Sequence, residues 1–262
     1  MSSVYASRVK VPFTISPVEN KEDPIMASPA SSPGNVYQTA LESYLVSMAR
    51  TVESSVSRAL EALLSSNEEI ASGVFVTEPR INEMEFIIDD HAVRQLRGGN
   101  LPEDEVRHIV ATLKINNDLE RMGDLAVNIC QRVISLSQMP GVEPPAELEP
   151  MAASVRAMVG RCLGALIYRN LTLANEVLES EEAIDDFRDQ IFEYLLSAMK
   201  RDSSLVPIHV QYMLATRNME RIADHTTNIA EDIVFWLRGL DIRHRRPNSF
   251  SISRSKSGPE QL

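Results

Sequence analysis

Residues 118–129 read DLERMGDLAVNI and residues 218–229 read NMERIADHTTNI, so Glu120, Asp124, Asn128 and Ile129 recur at Glu220, Asp224, Asn228 and Ile229, each 100 positions later. Turned at about 100° per residue, Leu119, Met122, Ala126, Ile129, Val133 and Leu136 form one apolar stripe. Met219, Ile222, Ile229, Ile233 and Trp236 form its counterpart. The Glu, Asp and Asn of each frame fall about 160° from the stripe on the same helical wheel. A second frame recurs upstream: EPRIN (78–82) matches EEAID (181–185), pairing Glu78 with Glu181 and Asn82 with Asp185 at an offset of 103. Two frames repeated in one order, with the offset drifting by three across a loop, are the mark of a duplicated three-helix unit.

The rest of the chain supports an all-α fold of two tandem, pseudo-repeated three-helix bundles. Aromatics are 5% of the 262 residues, and Leu, Ala, Glu, Arg and Met fill long stretches free of Gly and Pro, a composition that favours helix. Six helices are expected: near Val36 to Ser65, Glu68 to Leu96, Pro102 to Gln138, Met151 to Glu179, Glu181 to Lys200 and Leu205 to Arg238, the last ending at Gly239. The Pro-rich MPGVEPPAELEP (139–150) separates the halves. Four regions follow: a Pro/Ser-rich flexible extension (1–35), a first repeat (36–140), a second repeat (141–242) and a basic, Ser-rich tail (243–262).

Net charge narrows the partners. At −11 the chain lacks the basic face with which a general nucleic-acid binder displaces counterions from phosphates, so a basic protein or a cation is the better fit. Cys130 and Cys162 are too few for a disulfide framework and sit in apolar patterns, which points to the cytoplasm. No run of eighteen uninterrupted apolar residues appears, so no direct membrane insertion is expected. Gly-rich phosphate loops, nucleophile elbows and zinc-type Cys/His spacings are absent, so no catalytic machinery is expected. EVRH (105–108) has the Glu-x-x-His spacing of di-iron bundles but only one copy, which leaves Glu105 and His108 without that role.

The carboxylates are the chemical feature. A Glu and an Asp four residues apart share one helix face and repel one another. Antiparallel packing of the second and third helices of each unit would bring Glu78 and Asn82 towards Glu120 and Asp124, and Glu181 and Asp185 towards Glu220 and Asp224. Such outer grooves offer hard oxygen ligands suited to Mg²⁺, Mn²⁺, Ca²⁺ or iron rather than structural zinc. The plain alternative is a solvated acidic face partly neutralised by Arg121 and Arg221. His225 follows Asp224, but position 125 is Leu, so a histidine is not common to both frames.

KINNDLERMGDLAVNI (114–129), RNMERIADHTTNIAEDIVFWLRG (217–239) and EEAIDDFRDQIF (181–192) resemble the PhoU family of phosphate-uptake regulators over roughly residues 40–240. The resemblance implies two three-helix bundles and a cytoplasmic, non-enzymatic, homodimeric regulator that links the ATPase subunit of a phosphate ABC transporter to a sensor histidine kinase. It also implies a metal site, with Mg, Mn or Fe held by paired motifs: Glu78 with Asn82, Glu120 with Asp124, Glu181 with Asp185 and Glu220 with Asp224. Asn82 stands where that pattern more often has Asp, and NLPEDEVRHI (100–109) replaces its usual loop. The competing expectation is a metal-dependent enzyme using the same carboxylate clusters.

Overall fold

The structure, a computed structural model, describes residues 33–243, and all regular elements among them are helical. The N-terminal extension, save residues 33–35, and the basic tail, save residue 243, lie outside the described residues. In order the helices are α1 (Pro33–Ser65), α2 (Glu68–Phe75), α3 (Glu78–Arg97), α4 (Glu103–Ser137), α5 (Leu148–Tyr168), α6 (Leu171–Leu178), α7 (Glu181–Arg201) and α8 (Val206–Arg238), with a 3₁₀ turn at Ser203–Leu205 before α8. Each repeat is therefore a three-helix bundle with a short extra helix, α2 or α6, set into it.

Those short helices correct two of the expected boundaries. The helices read as Glu68–Leu96 and Met151–Glu179 are each interrupted. In the second repeat Arg169 turns left-handed (φ 49°) and Asn170 restarts the chain, its Oδ1 accepting from the amides of Thr172 at 2.9 Å and Leu173 at 3.3 Å. Ser66 (φ 51°) and Asn67 do the same in the first repeat, 103 positions earlier. An Asn cap satisfies two amides that the helix itself leaves unpaired. Sequence periodicity alone misses the second break because Leu and Ala continue the apolar pattern straight across it. Between α2 and α3, Pro79 in the first turn cannot donate to Phe75 and its ring crowds that carbonyl, so α2 stops. The offset of 103 holds through the ends of α1 and α5 and the starts of α3 and α7, then drops to 100 because the second repeat shortens the loop occupied by residues 98–102 in the first.

α4 and α8 form the spine. They run antiparallel: Arg132 bonds Gln211, Asp118 bonds His225 and Lys114 bonds Asp232 in steadily opposed register. α1, α2 and α3 pack on α4, and α5, α6 and α7 pack on α8, while α1 and α5 also meet. One continuous core results, with Ile115, Met122, Ile129 and Val133 of α4 and Met219, Ile222, Ile229 and Ile233 of α8 almost wholly buried. Met84 joins this core, and Met213 packs at its margin. α5 has the length and apolarity to cross a membrane, but here Met151, Val155, Met158 and Ala165 are buried against the other helices. Cys130 and Cys162 are unpaired and buried, and burial pushes both thiols up to about 12.

Candidate functional site

In the first repeat, α3 lies antiparallel to α4 at close range. A Cβ at Gly123 would come 3.0 Å from Ile81 Cδ1, and the buried Asn116 donates through Nδ2 to the Glu85 carbonyl at 3.1 Å and Asp89 Oδ1 at 3.0 Å. This register brings Glu85 of α3 beside the frame on α4. Glu120 is held above the ordinary carboxylate range, first by burial and then by Asp124, with which it shares a hydrogen bond; Glu85 adds to the rise and Arg121 opposes it. Glu85 is raised too, by burial, then Asp89, with Asp124 contributing and Arg121 opposing. Among the described residues the cation against these groups is loosely placed: Arg121, 53% exposed, stands 3.4 Å from Glu120 and 3.9 Å from Asp124. Glu78 is half-buried at the start of α3 and Asn82, one turn on, is exposed.

The second repeat uses the same backbone and different charge. Arg188 Nη1 sits 2.6 Å from both Asp185 Oδ1 and Glu220 Oε1, and its Nε donates to Asp189 at 2.9 Å. Arg217 reaches Glu220 from one turn away at 2.7 Å. Glu181 is raised by burial, then by Asp224 and Asp185, and Asp224 is raised by burial, then Glu220 and Asp185, against His225 and Arg217. All four expected carboxylates are thus gathered around one place, together with a guanidinium.

Several expectations change here. The frames are not simply outward: the Glu120 side chain is 16% exposed and that of Glu220 only 9%, because the spine helices are packed on more than one side. The cations on the second frame are Arg188 and Arg217 rather than Arg221. His225 turns away from it and bonds Asp118 on α4 at 2.8 Å, tying the two repeats together. Among the described residues, no three His, Cys, Asp or Glu side chains converge so as to hold a metal ion. Glu85 and Arg188 were missed by sequence reading, although they are 103 positions apart and their charge reversal within the repeat is legible once the halves are aligned.

Two other polar groupings lie between the repeats. His108, buried, stacks on Trp236 with ring centroids 4.5 Å apart and faces Glu42 at 3.5 Å, while Arg169 pairs with Glu42 at 2.7 Å and covers the Trp236 ring. A cleft of about 450 Å³ between α4 and α8 is lined by Leu113, Lys114, Asn117, Asp118, Asn228, Asp232 and Arg243. Its cations are already matched, Lys114 with Asp232 and Arg243 with Asp241.

Residues 45–133 and 148–233, the two halves bearing these frames, each match the PhoU domain. The chain belongs to the PhoU family. Its curated relatives include a Zymomonas mobilis protein, 32% identical over 205 residues covering 78% of this chain and 86% of that one, and a Pseudomonas aeruginosa protein, 31% identical over 78% of this chain and 85% of that one. Both bear the name phosphate-specific transport system accessory protein PhoU homolog. The crystal structure of PhoU from Pseudomonas aeruginosa matches 79% of this chain and 99% of its own with a TM-score of 0.76 at 29% identity. A Streptococcus pneumoniae phosphate transport system regulatory protein PhoU, at 24% identity and a TM-score of 0.72, shares the fold.

Proposed function

We propose that this PhoU chain is a cytoplasmic, non-catalytic regulator of phosphate uptake and of the phosphate-starvation response. It acts as a homodimeric adaptor between the ATPase subunit of a phosphate ABC transporter and a sensor histidine kinase. The observation that carries this reading is likeness along nearly the whole of relatives named as accessory proteins of phosphate-specific transport, both halves included. The net charge of −11 suits basic surfaces on such partners. Deleting the gene and following a phosphate-responsive promoter tests it: derepression in high phosphate, reversed by the wild-type gene, is the expected result, and an unchanged response refutes the reading.

A metal role belongs to the same proposal. Glu120 and Asp124, with Glu85 beside them, are hard oxygen donors that repel one another, and Mg²⁺, Mn²⁺ or iron would relieve that repulsion. Elemental analysis of the purified protein and of Glu120→Ala plus Asp124→Ala checks this. Metal content that does not fall in the double variant rules those two out as ligands.

A further inference from the structure

We propose that Arg188 is the resident counter-ion of the second acidic frame and keeps divalent cations out of it, so that the two repeats of this chain differ in what neutralises the same duplicated surface. The backbone of the two sites is equivalent: Ile81 and Ile184 are both buried at matching places on α3 and α7, and Gly123 and Ala223 match on α4 and α8. What differs is the residue one turn along from Ile81 and Ile184, Glu85 in the first repeat and Arg188 in the second.

Arg188 is well placed to act as a fixed cation. One nitrogen bridges Asp185 and Glu220 at 2.6 Å each, another holds Asp189 at 2.9 Å, and the side chain is only 20% exposed. Glu220, 9% exposed, is also held by Arg217. A guanidinium cannot lose its proton in a protein, so the cation is present wherever the carboxylates are ionised. A divalent ion entering between Asp185 and Glu220 would face that charge at contact distance and would strip both carboxylates from a largely enclosed arginine.

The first repeat lacks every part of this arrangement. Glu85 adds a negative charge where Arg188 adds a positive one, and Arg121 stands to the side, half exposed. Asn116, 1% exposed, keeps its Oδ1 without a hydrogen-bond partner next to Asp89, whereas its counterpart Thr216 is satisfied by the Tyr212 carbonyl at 2.8 Å. The duplication has thus yielded one half with a tightly held, largely enclosed cation and one half whose cation, Arg121, is half exposed and stands 3.4 Å or more from its carboxylates.

The choice of a divalent probe rests on the metal part of the proposed function; the exclusion by Arg188 is tested separately from it. Mn²⁺ bound per chain is counted by the loss of the free-ion EPR signal at neutral pH for the full-length wild type, Arg188→Gln, Arg188→Lys, Glu181→Gln plus Asp185→Asn, and Glu120→Gln plus Asp124→Asn, with circular dichroism confirming the fold of each. Arg188→Gln should bind one Mn²⁺ more than wild type, and Arg188→Lys should bind as wild type does. Equal binding by wild type and a folded Arg188→Gln overturns the proposal. If Arg188→Gln does not fold, the second-frame pair decides: unchanged Mn²⁺ binding supports the exclusion, and loss of a bound ion relative to wild type overturns it. Unaltered binding in Glu120→Gln plus Asp124→Asn would sink the first-repeat metal reading while leaving the Arg188 result standing.

Discussion

At the residue scale, identical positions in a duplicated frame acquire different physics from one neighbour. Glu120 and Glu220 occupy the same turn of equivalent helices, yet one faces the carboxylates of Asp124 and Glu85, and the other is clasped by two arginines. The frames themselves are plain in the sequence because they are local. Their surroundings are not, since Glu85 and Arg188 come from a different helix and matter only once the antiparallel register is known. His108 shows the same limit: a single Glu-x-x-His gives no sign that the ring is buried against Trp236. Burial holds its imidazole below the ordinary 6.5, with Glu42 of α1 opposing and Arg169 of the α5–α6 turn reinforcing. The sign follows directly. A proton binds the unfolded chain more readily, so stability from this group is present above pH 6.5 and is lost as the pH falls from there through the lower folded value, with a limiting slope of about 1.4 kcal/mol per pH unit for one proton. Denaturant titrations from pH 7.5 down to 5 should show wild type losing stability faster than His108→Gln; parallel losses would contradict it.

At the element scale, the short helices α2 and α6 depend on their caps. Each has eight residues, too few to hold a helix in water unaided, and each begins at an Asn whose Oδ1 accepts two amides. Asn67→Ala and Asn170→Ala should each cost about 1 kcal/mol, read as a lower denaturant midpoint at unchanged slope, and the two should be similar because backbone and bonds are nearly superimposable in kind. An effect at one site only would mean that the repeats are not equivalent here. Long helices were legible because a sustained 3.6-residue stripe names them, and the break after Ser65 was read where it lies; the one after Tyr168 was hidden because Arg169 carries no glycine signal for its left-handed turn. Arg169 is held in that conformation by Glu42 and the Trp236 ring, partners that only the tertiary structure supplies.

At the scale of the whole molecule, α4 and α8 make the two repeats one folding unit. The stripes read from sequence as the inner faces of separate bundles also face each other across the spine, where the Thr226 hydroxyl reaches Met122 Sδ. Chain halves divided within residues 139–147 should therefore fail to fold singly and should recover native helicity when mixed; a soluble, cooperatively melting first half would contradict this. Ile229→Ala, emptying a 2% exposed position on the spine, should cost about 2–5 kcal/mol by thermal or denaturant unfolding. The duplication predicted the architecture well because it fixes which helices are equivalent, but it is silent on how the copies meet, since that contact is not itself repeated in the sequence.

The proposed regulatory role is tested most directly on transport. In cells grown in ample phosphate, initial uptake of radiolabelled phosphate should rise when this gene is deleted and return to the parental rate when the wild-type chain is restored. Uptake identical in the deletion and parental strains would contradict the account.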